Sequence, residues 1–265
     1  MTQGFGHSRR RVAFELAAFA VVLALAVWGG LAAIRTLAVR AAAALPVSVD
    51  RAVGRQAAES MLAGEERCKD DAPLRAIVDR FRPHLPAEFR DVRVYALRGA
   101  EVNAFALPGG DLFVLRGLLG EAKRTEEVAG VLGHEVGHAV LRHGMRRLAR
   151  QAALSVAMAL VLGGEGDVAS TLAGGAARLR ALKFERDDER EADDFGLDLC
   201  ARAGVDPRAL GEFLGKLPDA PAAWLSTHPS SAERRERLLA KARNTPVARP
   251  EATLPSIETL RAACR

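Results

Sequence analysis

Three of the six histidines lie within ten consecutive positions of the segment VLGHEVGHAVLRHG, residues 131–144. On an α-helix four residues advance about 400°, so His134 and His138 project from the same face, one turn apart. Two such imidazoles can converge on one metal ion of zinc size. Glu135 is rotated by about 100° from His134, away from the ligand face, where it can take a proton from a nearby water as a general base in hydrolysis does.

A solvated helix face is the alternative explanation of this segment. Several apolar residues surround the histidines, namely Val131, Leu132, Val136, Ala139 and Val140. They predict a largely buried helix, in which two unpaired histidines would be costly. A chance HExxH pattern in a chain with this histidine content has a probability of about one in a hundred. A metal site is therefore favoured. His143 falls about 180° from His134 on a continuous helix, so it is expected to be structural or surface-exposed rather than a ligand.

A catalytic zinc site needs three protein ligands and an open position. The acidic segment KFERDDEREADDFGLDLC, residues 183–200, is the best source of the third ligand. Glu189 and Asp193 share one helix face, whereas Glu191 points about 160° away from Glu189. Glu189 can then bind metal while Asp193 accepts a hydrogen bond from a ligand imidazole. A charged, solvated helix is the alternative, but a pair of histidines at a metal needs a carboxylate partner.

The segment LAAFAVVLALAVWGGLAAI, residues 16–34, has no charge in nineteen residues. As a helix it is about 28 Å long, close to the hydrocarbon thickness of a bilayer. Three arginines precede it, which favours a cytoplasmic N-terminus with the rest of the chain outside. A cleaved signal peptide is the alternative, although its apolar core is usually shorter, about 7 to 15 residues. We predict a cytoplasmic basic segment at 1–11 and a transmembrane anchor, or uncleaved signal, at 12–35.

The segment from residue 91 to 119 predicts two or three short strands, with a hairpin at Pro108-Gly109-Gly110. Helical patterns lie on both sides of it, so the fold class is α+β and mostly helical. A second apolar run, residues 152–163, is too short to span a membrane and is expected to be a buried helix or a membrane-dipping segment. Basic and acidic residues alternate along most of the chain, whose net charge is +5, so no nucleic-acid partner is expected.

The three cysteines are too few for a disulfide scaffold and lack the spacing of a zinc site. Cys68 and Cys264 stand near the two ends of the region after the apolar segment, so a bridge between them would join its termini. Three buried free thiols are an equally open alternative.

The motifs HEVGH, RHG, ERDDEREADDFGLDL and THPSSAERRERL together resemble the membrane-associated zinc metalloendopeptidases of metallopeptidase family forty-eight, in the small bacterial exported form. This family includes HtpX, the CAAX prenyl protease and a mitochondrial inner-membrane quality-control protease. The resemblance implies a gluzincin-type domain with a small β-sheet beside the HExxH helix. It also implies one zinc ion per chain, with His134, His138 and Glu189 as ligands and Glu135 as the catalytic base.

Further roles follow from the same resemblance. The strand around Asn103, Ala104 and Phe105 would bind an extended substrate as an added strand. His228 would donate to the oxyanion, block the open zinc position, or serve only as a hydrogen-bonded residue of a helix-capping loop. Arg234 is a candidate for oxyanion stabilisation, and Tyr95 is a weaker one. The resemblance at Cys68 and Cys264 slightly favours their disulfide, provided that the domain lies outside the reducing cytosol.

The sequence departs from the family pattern at two positions. Glu185 stands where Ser is usual before the acidic helix, and this change affects how that helix begins. Asp111 stands after the Pro-Gly-Gly turn, where a small or basic residue is usual, and this change would affect substrate choice.

The function implied is hydrolysis of peptide bonds in exported or membrane-associated, misfolded polypeptides by zinc-activated water. The alternative is a zinc-containing binding or chaperone module for extended chains, with His228 on the metal. The expected organisation is a linker or juxtamembrane helix at 36–60 and the metallopeptidase domain at 61–265. The chain is expected to cross the inner membrane once, with the catalytic domain on the periplasmic side. The oligomeric state is left open.

Overall fold

The computed structural model describes residues 5–162, 184–217, 228, 232–249 and 253–265. Helix α1 (Phe5–Ala44) contains the long apolar stretch. Within the described chain it is the one helix long and apolar enough to cross a membrane: its apolar window has a mean hydropathy of 2.3 and is 0% buried. This exposure is what a helix surrounded by lipid requires.

The segment at 36–60, for which a linker or a juxtamembrane helix was expected, is helical over most of its length. Helix α1 continues to Ala44, and helix α2 (Val47–Gly64) begins after Pro46. A Cβ atom on Gly54 of α2 would lie 1.8 Å from the carbonyl oxygen of Pro108, so only glycine allows this approach. Helix α2 is therefore packed against the turn of the sheet.

Three short strands form the sheet, as two or three were predicted: β1 (Arg93–Leu97), β2 (Ala104–Ala106) and β3 (Asp111–Leu115). Their order is β1-β3-β2. Strands β2 and β3 are the predicted antiparallel hairpin, and its turn uses φ angles of 84° at Gly109 and 103° at Gly110, which favour glycine. Strand β1 pairs with β3 in parallel.

Helix α5 (Thr125–Val140) lies against this sheet and carries the HExxH motif. All of its residues are buried except Glu126 and Val140, in agreement with its apolar sequence. Helices α3 (Ala72–Phe81) and α4 (Arg116–Glu121) complete this part of the domain. The main hydrophobic core therefore surrounds the helix that holds the histidines.

The remaining helices pack beyond α5. They are α6 (His143–Leu162), α7 (Arg186–Arg202), α8 (Ala209–Leu214), α9 (Ala232–Arg243) and α10 (Ile257–Ala263). Helix α6 lies along α1, and its Leu154 and Val156 are partly exposed. The described part of the second apolar run is therefore not a buried core helix.

Helices α5 and α7 approach closely through glycines. A Cβ atom on Gly196 would lie 2.7 Å from the backbone nitrogen of His134, and one on Gly137 would lie 2.9 Å from the carbonyl oxygen of Ala192. Both contacts are with backbone, which cannot move aside as a flexible side chain can. Small residues here bring the histidine helix and the acidic helix to the distance at which their side chains meet.

We expect Gly196→Ala to lower the free energy of unfolding by about 1–3 kcal/mol, because the added methyl group forces the two helices apart. Urea unfolding of the metal-free protein measures this change. Gly120→Ala is the matched control, since a Cβ atom there has nothing within 4 Å. Equal stability of the two variants would contradict the close-packing argument.

The structure joins Cys68 and Cys264 in a disulfide, with Cα atoms 4.4 Å apart and a sequence separation of 196. The adjacent backbone is also bonded, since Lys69 N–H donates to the carbonyl of Ala263 at 3.1 Å. Cys200 is free and buried, and burial raises the pKa of its thiol to about 12. The bridge thus ties the start of the domain to its last helix, and Cys200 is an unreactive core thiol.

Removing the bridge by Cys68→Ser with Cys264→Ser is expected to lower the free energy of unfolding by about 2–5 kcal/mol, because a long loop is released in the unfolded chain. The measurement is urea unfolding of the oxidised parent and of the double variant. Thiol counting in denaturant should find one free thiol in the parent. Three thiols in protein isolated without reductant would contradict the disulfide.

Candidate metal centre

Side chains from two helices meet at the α5–α7 contact. His134 Nε2 and His138 Nε2 on α5 are 3.0 Å apart. Glu189 on α7 places Oε1 3.3 Å from His138 Nε2 and Oε2 3.6 Å from His134 Nε2. All three side chains are buried. The structure therefore brings together the three residues that the sequence analysis proposed as ligands.

His228 joins this group from the far end of the chain. Its Nδ1 atom lies 2.9 Å from Glu189 Oε1 and 3.2 Å from His134 Nε2. Ligand atoms of His134, His138, Glu189 and His228 all fall within 4.8 Å of one another. His228 thus lies in the donor cluster itself.

The arrangement of lone pairs fits a cation. His134 Nδ1 lies 3.1 Å from the Asp193 carboxylate, so Nδ1 carries the proton and Nε2 presents a lone pair. That lone pair faces His138 Nε2 and the Glu189 carboxylate. Buried acceptor atoms crowded together are unfavourable unless a positive charge lies between them. Two imidazoles and a carboxylate are also a donor set that a divalent transition metal prefers.

Arg234 on α9 lies behind the acidic helix. Its guanidinium donates to Asp193 through Nε at 2.8 Å and Nη2 at 2.7 Å, and Nη1 lies 2.7 Å from Glu189 Oε2. Arg237 adds a contact to Asp193 at 2.9 Å. The oxyanion role suggested for Arg234 by the sequence does not match this position, because its charge faces two carboxylates of the cluster. Its geometry instead orients Glu189 and Asp193.

Arg234→Met is expected to lower the free energy of unfolding of the metal-free protein by about 3–5 kcal/mol, since two buried carboxylates lose their compensating charge. Arg237→Met is the control on the same helix. The Arg237 side chain is 31% exposed, so its loss should cost about 1 kcal/mol or less. Chemical unfolding at neutral pH measures both. A cost for Arg234→Met no larger than that for Arg237→Met would contradict the positioning role.

The charges of the cluster shift the pKa values of its members. Burial alone would raise the pKa of Glu189, but His228 and His138 hold it far below its ordinary value. Burial lowers the pKa of His138 well below its usual value. Burial also opposes charge on His228, yet Glu189 and Glu135 raise its pKa overall. At neutral pH the Glu189 carboxylate is ionised and the His138 imidazole is neutral, as metal ligands must be.

Glu135 is buried beside the cluster but outside its ligand group. Its Oε1 atom lies 3.5 Å from His228 Nε2. Helix geometry predicts this arrangement. Because Glu135 follows His134 by one residue, its carboxylate lies next to the ligand atoms and not among them.

The contacts of His143 do not follow from helix periodicity. Helix α5 ends at Val140, and Arg142 takes a positive φ of 57° before α6 begins. This turn directs His143 back toward His138, where it is fully buried, with the two Nδ1 atoms 2.9 Å apart. The 180° placement assumed a continuous helix, and the helix is broken. Glu191, expected to face away, lies 3.1 Å from His143 Nε2.

The proposed substrate strand is buried through its side chains. Asn103, Ala104 and Phe105 are all buried. Leu115 N–H donates to the Asn103 carbonyl, and Leu107 N–H donates to the Asp111 carbonyl. This alternation turns the backbone groups of Ala104 and Ala106 away from β3. A substrate contact on β2 would therefore use backbone atoms.

Two other residues singled out from the sequence lie away from the cluster. Asp111 is buried and forms an ion pair with Arg93 at 2.8 Å. This local partner explains why an acidic residue can follow the turn. Tyr95 on β1 stacks on Phe113 with ring centroids 5.2 Å apart. Tyr95 therefore belongs to the sheet packing.

The sequence profile of peptidase family M48 matches residues 69–242, which include every member of the donor cluster. The chain belongs to this family. It is 45% identical over 147 residues to the mitochondrial metalloendopeptidase OMA1 of Arabidopsis thaliana, covering 53% of this chain and 29% of that protein. The structure and the family match together confirm the mostly helical α+β fold with a small sheet beside the HExxH helix.

Bacterial relatives match over similar lengths. The putative beta-barrel assembly-enhancing protease of Vibrio cholerae is 30% identical over 194 residues, which are 66% of this chain and 40% of that protein. The beta-barrel assembly-enhancing protease of Escherichia coli K12 is 32% identical over 168 residues, which are 57% of this chain and 33% of that protein. The chain thus spans 29% to 40% of the length of these three curated relatives.

Proposed function

We propose that this protein is a zinc-dependent metalloendopeptidase that hydrolyses peptide bonds of exported or membrane-associated, misfolded proteins. The observation that carries the proposal is the convergence of His134, His138 and Glu189, with Glu135 beside them, in a member of family M48. Zinc is the metal that this combination of nitrogen and oxygen donors suits best. His134, His138 and Glu189 would hold one ion per chain.

In this proposal the metal ion and the side chains have separate roles in hydrolysis. When bound, zinc polarises the scissile carbonyl and makes a nearby water easier to deprotonate. Glu135 takes the proton of the attacking water and passes it to the leaving amine. Asp193 holds His134 in the tautomer that presents Nε2. His228 shares the donor cluster, so its ring has to leave before a substrate carbonyl enters.

The membrane helix and the sheet support the proposed class of substrate. The arginines at positions 9 to 11 favour a cytoplasmic N-terminus. The Cys68–Cys264 disulfide suits an oxidising compartment. The protein would then cross the inner membrane once, with the catalytic domain on the periplasmic side. An extended polypeptide at that surface would dock along the backbone of β2.

Glu135→Gln is expected to lower the rate of casein cleavage by at least about 10²-fold, because the amide cannot take a proton from water. The full chain in detergent, loaded with zinc, would be compared with the variant, and bound zinc would be quantified in both. One zinc per chain in each protein is the expected result, since Glu135 is not a ligand in this proposal.

The His228→Ala variant serves as a second arm of this experiment. Faster cleavage than by the parent is expected, because the ring no longer occupies the donor cluster. Full proteolysis by Glu135→Gln would contradict the assignment of the base. Zinc bound without cleavage by either the parent or His228→Ala would overturn the peptidase proposal in favour of a binding module.

A further inference from the structure

The second histidine of the HExxH motif has a hydrogen-bond chain of its own. His138 Nδ1 lies 2.9 Å from His143 Nδ1, and His143 Nε2 lies 3.1 Å from Glu191 Oε2. His138 and His143 are both buried, whereas the Glu191 side chain is 51% exposed. The chain thus runs from the donor cluster to a carboxylate at the surface of α7.

The direction of these hydrogen bonds follows from the cluster. His138 Nε2 faces Glu189 and His134 Nε2, so it must present a lone pair there in order to bind a cation. A neutral imidazole carries one N–H, which then resides on His138 Nδ1. His143 Nδ1 must accept that hydrogen bond, and His143 Nε2 therefore carries the proton that it donates to Glu191. Every donor in this order meets an acceptor.

We propose that His143 and Glu191 are positioning residues that fix the tautomer and the ring orientation of His138 for metal binding. Asp193 does the same for His134 directly, at 3.1 Å. The two ligand histidines are thus oriented by two carboxylates of one helix, one in direct contact and one through an intervening imidazole. The inference rests on the proposed metal site and adds two residues to it.

The backbone around His143 is held in place for this purpose. Arg142, whose φ is 57°, donates to the Asp50 carboxylate at 2.9 Å and 2.7 Å and to the Ala43 carbonyl at 3.2 Å. This partly buried ion pair compensates for the unfavourable backbone conformation of a non-glycine residue. The turn that aims His143 at His138 is therefore fixed from the α1–α2 junction.

Neighbouring side chains restrict the ring and the carboxylate further. Phe184 stacks on His138 with ring centroids 3.9 Å apart. Arg146 lies 3.1 Å from Glu191 Oε2 and 3.2 Å from Asp188 Oδ1. His138 is thereby held at its face by Phe184 and at its edge by His143, while Arg146 keeps Glu191 turned toward His143.

The test is the zinc affinity of the full chain in detergent, measured by competition with a chromogenic chelator. His143→Leu removes both hydrogen bonds and is expected to weaken zinc binding by about 10- to 100-fold. His143→Asn should recover most of this loss, because its amide oxygen takes the place of Nδ1 and still accepts from His138. Glu191→Gln should weaken zinc binding less than His143→Leu does.

Two controls separate positioning from general damage. Asp187→Asn removes another acidic group of α7, whose side chain is 89% exposed, and should leave the affinity unchanged. The double variant His143→Leu with Glu191→Gln should bind zinc no more weakly than His143→Leu alone, because Glu191 acts through His143. The visible spectrum of bound Co²⁺ should change in His143→Leu and return toward that of the parent in His143→Asn.

The outcomes distinguish this inference from the proposed function. A parent that binds no zinc overturns the metal site itself. A parent that binds zinc, with His143→Leu of equal affinity and an unchanged Co²⁺ spectrum, overturns the positioning role alone. Strictly additive losses in the double variant, or a loss in His143→Asn as large as in His143→Leu, also contradict it.

Discussion

The close contact between helices α5 and α7 is the constraint on which the rest of the site depends. Gly133, Gly137 and Gly196 let the two backbones approach closely. A methyl group at any of the three would lie 2.7–3.1 Å from backbone atoms of the other helix. At Gly133 it would also lie 3.0 Å from the sulfur of Cys200. Only at this separation do histidines from one helix and a carboxylate from the other converge. The hydrophobic core and the sheet hold α5 in place, and the donor cluster occupies the contact.

Charged side chains are buried at this contact. Glu189 and Asp193 are buried with three imidazoles, and Arg234 is the buried cation nearest to both carboxylates. Removing one partner of such a group exposes the desolvation cost of the others. The same low dielectric strengthens the attraction of the cluster for a metal ion. Stability and metal binding are therefore coupled through the same residues.

Helix periodicity was sufficient to foresee the pairs that lie within one unbroken helix. His134 with His138, and Glu189 with Asp193, follow from a spacing of four residues. Contacts that depend on where a helix ends did not follow from it. The break at Arg142 turns His143 toward His138 and, with it, gives Glu191 a role that a helical wheel excludes. The ion pair of Arg142 with the buried Asp50 holds the chain in that break.

For residues that reach the site from other parts of the chain, the sequence predicted which side chains take part but not their contacts. His228 and Arg234 were singled out in the sequence, but the partners of Arg234 depend on how α9 packs against α7, and those of His228 on its place beside α5 and α7. A juxtamembrane helix was one of the two expectations for residues 36–60, but the packing of α2 against the Pro108 turn was not predicted. Tertiary contacts set all three placements, and a single sequence carries little signal for them.

X-ray absorption at the zinc edge of the zinc-loaded protein is the decisive test of the metal site, because it reports the atoms bound to the ion. We expect one zinc per chain with only nitrogen and oxygen neighbours, at about 2.0–2.2 Å, and with the scattering pattern of at least two imidazoles. A sulfur neighbour at about 2.3 Å, or zinc surrounded by oxygen alone, would contradict this expectation. Zinc surrounded by oxygen alone would place the metal away from His134 and His138.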